Sequence, residues 1–493
     1  MSGVYPKNLG AKIQQISNYS SSYVKINPNN SLQALNNTSS GGSISIDLPP
    51  NSLIDLSTLS VHFDFSTTPA CDVAGALATS GCRPYVLSRY ASSLIRLVRV
   101  EIGGSVVSEI SDYNLISQIF SDYQYGIEGS SKRLLNNFDP LLKLGDDGTV
   151  FQNIFTIPTT SANNLKTDSK HLIWNNFLGF LGGNGVVKYI DTGITGNIRI
   201  TFETAPAANC LILATQNHVA TGPTRNQFNL VGAAIEGPAA VNDANYTLNN
   251  IYATMKKVQI DDGIYFNALS QSLASGIPFQ YHFNSFMNTK SSANNCDLTM
   301  RTDVSSGSVS MALLTFYDVN HNTIGVLPDV QDLTRSLGAG TAMTAKSAKQ
   351  HAMIDRKNCY ASKYFKRDGS EVRDVSWYIN GERAVSYQMK SPDVYDKLMC
   401  DFGIHDDVSN GIYYGINSYE SWVDNYWVAS LRLSHVCEDP TFISGLNSQG
   451  IPLTLEATTT SLTGGGNDYV AQLFVMTDNI LQVYAGRQIN VVK

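Results

Sequence analysis

The sequence predicts an all-β protein made of two tandem, related β-sandwiches, each carrying one short helix. Three observations carry this reading. The chain has 493 residues, more than one hydrophobic core can organise. Charged residues make up only 15%, against a usual share of about 25%, while 38 Gly, 25 Tyr and runs of Ser, Thr and Asn favour strands and loops. A succession of hairpin, helix and strand in the first half returns in the same order in the second.

Residues 1–41 are expected to form an N-terminal arm outside the folded core. They contain Lys7, Lys12 and Lys25, no Asp or Glu, and few apolar residues, with Val24, Ile26, Leu32 and Leu35 separated by polar ones. Such a segment cannot bury a core of its own, and its removal is expected to leave the sandwiches intact. Three lysines suit an acidic neighbour, but attract it only weakly at physiological salt.

The first sandwich is expected over 42–260. Ile44, Ile46 and Leu48 alternate, Pro49-Pro50 breaks the run, and Leu59, Val61, Phe63 and Phe65 alternate again, as two strands joined by a turn would. Val98, Val100 and Ile102 then run into Gly103-Gly104. The second sandwich, over 261–493, repeats this with Val375, Trp377 and Ile379 before Asn380-Gly381, a displacement of 277 residues from Gly104 to Gly381. Both pairs suit a type I′ hairpin, which needs positive φ at two positions.

A helix should follow each hairpin. Asp112 is placed to cap Leu115, Ile116, Ile119, Phe120 and Tyr123; Ser391, with Pro392 at the first helical position, is placed to cap Val394, Tyr395, Leu398, Met399 and Phe402. The apolar sites match at 279 residues, from Leu115 to Val394, and Asp122 falls on Asp401. A third block, Ile198 to Glu203, resembles Ile451 to Glu456 at 253 residues. A repeat this long excludes solenoids and propellers. Thr67 to Leu87, Ala205 to Asn245 and Gly325 to Met353 read as surface loops inserted between strands.

The chemistry-bearing residues form no recognisable site. The net charge of −7 argues against a dedicated nucleic-acid binder, and no signal peptide or run of eighteen apolar residues is present. Seven scattered cysteines, Cys71, Cys82, Cys210, Cys296, Cys359, Cys400 and Cys437, include no C-x-x-C pair. The eight histidines lack metalloprotease spacing, and His405-Asp406-Asp407 reads as a solvated turn. No catalytic, cofactor-binding or metal residue is assigned. The basic run Lys346, Lys349, Arg356, Lys357, Lys363, Lys366 and Arg367, with Tyr360, Tyr364 and Phe365 interleaved, could bind single-stranded nucleic acid, but a loop or subunit contact is the commoner use. Glu203 and Glu456 could pair as glycosidase carboxylates, yet equivalent places in two repeats explain them without catalysis.

Ile46-Asp47-Leu48-Pro49-Pro50, Leu94 to Tyr123, Asn197 to Glu203 and Tyr246 to Ile260, followed by Ser308 to Tyr317, Ser376 to Leu398, Phe442 to Asn447 and Leu481 to Val492, give the chain its resemblance to a known family. It resembles the double jelly-roll major capsid proteins of virophages, polinton-like viruses and related double-stranded DNA viruses, over nearly everything after residue 41. The resemblance implies two jelly rolls per chain and a homotrimeric, pseudo-hexameric capsomer that tiles an icosahedral shell. It further implies contact with neighbouring capsomers, penton and minor capsid proteins, weak contact of the N-terminal arm with genome or inner membrane, a place in the virion after synthesis in host cytoplasm or nucleus, and no enzymatic activity or cofactor. The alternative from another class is a carbohydrate-binding or glycoside-cleaving jelly-roll protein, suggested by Tyr413-Tyr414, Tyr419, Trp422, Tyr426 and Trp427.

Overall fold

The computed structural model describes residues 19–29, 34–37, 42–67, 85–88, 90–124, 142–144, 150–152, 170–182, 189–213, 227–228, 246–260, 263–294, 297–322, 325–326, 362–403, 419–434, 445–448, 453–461 and 468–492. In the first half, β1 (Tyr19–Ile26), β8 (Tyr246–Ile260), β3 (Leu53–Thr67) and β6 (Lys170–Trp174) form one antiparallel sheet in the order β1-β8-β3-β6. A second antiparallel sheet takes β2 (Ser43–Asp47), β7 (Ile198–Thr204), β4 (Ile95–Ile102) and β5 (Ser105–Ser111) in the order β2-β7-β4-β5. Alternation decides which face turns inward. Ile44 and Ile46, Val61, Phe63 and Phe65, Val98, Val100 and Ile102, and Ile198, Ile200 and Phe202 are all buried between the sheets.

The second half repeats the design. Strands β9 (Phe279–Asn294), β16 (Asp468–Tyr484), β11 (Val309–Asp318) and β14 (Ala429–Arg432) form a sheet ordered β9-β16-β11-β14. Its partner sheet takes β10 (Leu298–Val304), β15 (Leu453–Ser461), β12 (Val372–Ile379) and β13 (Glu382–Arg383) in the order β10-β15-β12-β13. Each strand number is eight above its counterpart in the first half, so the two sandwiches share one strand order. Two four-stranded sheets wound in this way make a jelly roll, and the chain is a double one. Helix α1 (Tyr113–Gln124) and its counterpart α3 (Ser391–Phe402) follow the hairpins, α2 (Gly263–Ala274) joins the two halves, α4 (Tyr419–Asn425) precedes β14, and β17 (Gln488–Val492) adds to β16.

Both expected hairpins are present with the same register. Ile102 faces Ser105 and Ile379 faces Glu382, across Gly103 and Gly104 at φ +58° and +85° and across Asn380 and Gly381 at +51° and +84°. The two helices are 12 residues each.

Four expectations change. Asp112 does not cap α1 with its side chain: its carboxylate leaves the helix for the second sandwich, while its carbonyl accepts from Leu115 and Ile116. Ser391 is not the cap of α3 either, because its hydroxyl donates to the Val372 carbonyl and Asp393 accepts from the Lys390 backbone instead. The third repeat block is out of register by four residues. Ile102 faces Ile198 and Ile379 faces Leu455, so the true displacement is 257, from Ile198 to Leu455. A slip of four preserves the two-residue period, which is why side-chain pattern alone could not detect it. Finally, Tyr19–Ile26 belongs to a sheet: it pairs with β8 along its whole length and occupies the place β9 has in the second half. Ala34–Asn37 pairs with the start of β8 as well.

Candidate assembly surfaces

The outer face of the β9-β16-β11 sheet packs on the first sandwich, and α1 lies in that seam. Every residue from Tyr113 to Tyr123 is buried. Phe120 meets Phe286 of β9 edge-on at 5.5 Å and Phe402 of α3 at 5.6 Å, and the Tyr123 hydroxyl donates to the Tyr426 carbonyl. Asp112, held at φ +51°, is the polar centre of the seam. It accepts from Lys290 at 2.9 Å, Asn288 at 2.6 Å, Gln472 at 3.0 Å and the Tyr364 hydroxyl at 3.1 Å. Burial, with the Asp112 charge beside it, pushes the Tyr364 phenol well above its ordinary pKa, so it remains a neutral donor.

A second anchor comes from residues 362–369, which precede β12. The Ser362 amide donates to Ser88 Oγ at 3.1 Å, and its hydroxyl donates to the Asn209 carbonyl. Arg367 donates to Asp122 at 2.5 Å, with side chains only 0% and 4% exposed. Tyr90 also donates to Asp122, at 3.1 Å. Thus Asp122 and Asp401, matched by the repeat, have diverged: Asp401 accepts from Lys397 at 2.9 Å and Ser430 at 2.6 Å within its own sandwich.

The repeat exposes an asymmetry. Whereas α1 is buried from Tyr113 to Tyr123, α3 buries only Val394, Leu398 and Asp401. Likewise β11 is buried on both faces up to Tyr317, while the outer face of β1-β8-β3-β6 remains partly open, with Lys25, His62, Asp64, His171 and Tyr252 on it. Elements that are covered within the chain in one half are uncovered in the other.

The other sequence candidates are placed as follows. Glu203 accepts from Arg96 at 2.6 Å on the first sandwich, and Glu456 faces Arg301 and Tyr378 on the second. The register correction means that they are not equivalent positions: Arg199 is the counterpart of Glu456, and Thr460 that of Glu203. They lie in different sandwiches and form no facing pair. Glu203→Gln is expected to leave folding within about 1 kcal/mol of wild type, because Arg96 is half exposed, and chemical denaturation checks this. Trp422 and Trp427 are 0% exposed and pack on Tyr395 at 5.1 Å and Phe316 at 5.2 Å, so they build core and present no platform for a sugar ring. Of the basic run, Arg367 is spent on Asp122 and Lys366 pairs with Asp368 at 3.3 Å; residues 346–361 and His405 lie outside the described residues. Cys210 is buried and Cys400 exposed. Among the described residues no group of three metal-ligating side chains occurs, and no helix is long and apolar enough to cross a membrane.

No family model and no curated protein matches the sequence. Solved structures do. The PBCV-1 protein VP54, fitted into a reconstruction of the virophage Sputnik, matches 97% of this chain and 97% of its own at a TM-score of 0.53 and 11% identity. The structure of the Sputnik virophage matches at 0.54 and 10%, over 96% of this chain and 88% of that one. The Faustovirus major capsid protein matches at 0.52 and 11%, over 94% and 91%. The class is therefore a double jelly roll, matched over nearly the whole length of the chain. Within that class, the fold is the one the Faustovirus major capsid protein has.

Proposed function

We propose that the chain is a structural major capsid protein whose first jelly roll runs from β1 to β8, whose second follows from residue 261, and whose homotrimers act as pseudo-hexameric capsomers of an icosahedral virion. The observation that carries this reading is the covered and uncovered pair of repeats. A seam joins the second sandwich to α1 of the first within the chain; α3 and the open face of β1-β8-β3-β6 are the same kinds of surface, less covered within the chain. Three copies joined head to tail would close that series with six similar seams, as heterologous contacts do when the rotation between copies closes a ring. Neighbouring capsomers, penton and minor capsid proteins are the further partners of this reading. The buried tryptophans and the separated Glu203 and Glu456 favour it over a carbohydrate-binding or glycoside-cleaving protein.

Light scattering is expected to give a mass three times that of the chain at micromolar concentration, and negative-stain images should show hexagonal particles. A stable monomer would remove the capsomer reading.

A further inference from the structure

On the open face of β1-β8-β3-β6 the positions of the protons are constrained. A carboxylate only accepts, so the 2.8 Å contact between Asp64 Oδ1 and His171 Nδ1 makes that nitrogen the donor and leaves His171 Nε2 with a lone pair. His171 Nε2 lies 3.3 Å from His62 Nδ1, which must then donate to it. His62 Nε2 faces Thr254 Oγ1 at 2.9 Å, and a hydroxyl can serve either way. The chain of bonds is therefore complete with both rings neutral. It is also complete with one proton added, on His62 Nε2. A second proton has only His171 Nε2 to occupy, where it would point at the N–H of His62, and the rings must separate.

The surroundings do not soften that conflict. Lys25 of β1 sits 3.9 Å from the centre of the Tyr252 ring of β8, which stacks on His62 at 4.6 Å. The acid facing the pair is Asp64 of β3, whose other oxygen accepts from Asn250 of β8 at 2.6 Å. Taking Lys25, Asp64, His62 and His171 together, the patch goes from neutral, with both rings uncharged, to a charge of +2 with both protonated. In the repeat, Ser391 matches Asp112 at the displacement of 279 residues and Lys390 precedes it, so a docking α3 brings a hydroxyl where Asp112 brings a carboxylate, with a cation beside it.

We propose that the His62–His171 pair is an acid-sensitive latch on the surface through which one copy docks on the next, closed at neutral pH and opened by mild acid. This rests on the trimer reading above. Burial, with the charges of His171 and Lys25, already holds the His62 pKa below its ordinary value, and a docked neighbour would bury it further. The sign follows: a histidine whose pKa is depressed in the docked state takes up its proton on release. Association therefore weakens as pH falls, by up to about tenfold per pH unit for each proton taken up.

The test compares full-length wild type with the His62→Gln/His171→Gln double variant by light scattering across dilution, at about pH 8 and about pH 5.5. The wild-type dissociation midpoint should rise at least about tenfold in acid, and that of the variant should stay put. Trimers of wild type and variant that respond alike, or a wild type that does not respond, overturn the latch and leave the capsomer reading intact. A wild type already monomeric at pH 8 overturns the capsomer reading and the latch with it. Should the variant prove insoluble, histidine-labelled NMR of the wild type decides: two separated protonation steps for this pair support the latch, and one shared step overturns it.

Discussion

A variant that begins at Gly42 should melt roughly 10 °C or more below one that begins at Asn18, because it lacks β1. Eight residues of β1 pair with β8 from Tyr19 opposite Ile260 to Ile26 opposite Ala253. Net contributions of about 0.5–1.5 kcal/mol per backbone hydrogen bond place the loss near 5 kcal/mol, and Val24 and Ile26, which pack on the core, add to it. The shorter variant also leaves the long strand β8 as an unprotected edge, so it should aggregate on heating. Trimer content should fall with it, since β1 is part of the open face. Differential scanning calorimetry of the two variants, with scattering in parallel, checks this. Equal melting temperatures would mean that the first sandwich is complete without β1 and that residues 1–41 are an arm after all.

What the sequence could and could not disclose follows from where each contact is made. Val98 to Val107 and Val375 to Val385 were legible as hairpins because the turn geometry is local: positive φ at two adjacent positions is written into Gly-Gly and Asn-Gly. The helices were legible for the same reason, through the spacing of Leu115 to Tyr123 and Val394 to Phe402. β1 was not, because an edge strand is held by backbone bonds and its outward side chains face solvent, with Tyr23 73% exposed. A strand with one neighbour needs little apolar period. Nor was the role of Asp112 visible. Its partners Lys290, Asn288, Tyr364 and Gln472 are 176 to 360 residues away, and before a helix an aspartate looks like a cap. The His62–His171 contact is of the same kind, joining residues 109 apart through a sheet register that composition does not encode.

Arg367→Met should be the most damaging single substitution in the seam. The arginine lay in a basic run that suggested a solvated loop, yet its side chain is 0% exposed and donates to Asp122 at the end of α1. Its backbone is fixed as well: its amide donates to the Asn425 carbonyl at 3.2 Å, and its carbonyl accepts from Trp427 at 3.1 Å. The guanidinium thus ties the α4–β14 junction of the second sandwich to the helix of the first. Methionine keeps much of the stem volume but removes the buried cation that donates to Asp122, which also accepts from the Tyr90 hydroxyl. Breaking one side of a buried pair costs about 3–5 kcal/mol, more than the net worth of the pair itself. Arg367→Met/Asp122→Asn should therefore recover part of the loss, with a coupling of about 1–3 kcal/mol. Calorimetry should also show the wild-type transition splitting in the single variant, as two sandwiches that no longer hold each other unfold separately. If the single and double variants are equally destabilised and the transition stays single, the pair contributes packing alone, and the cohesion of the two jelly rolls rests on Asp112 and the aromatic contacts of Phe120 and Tyr123.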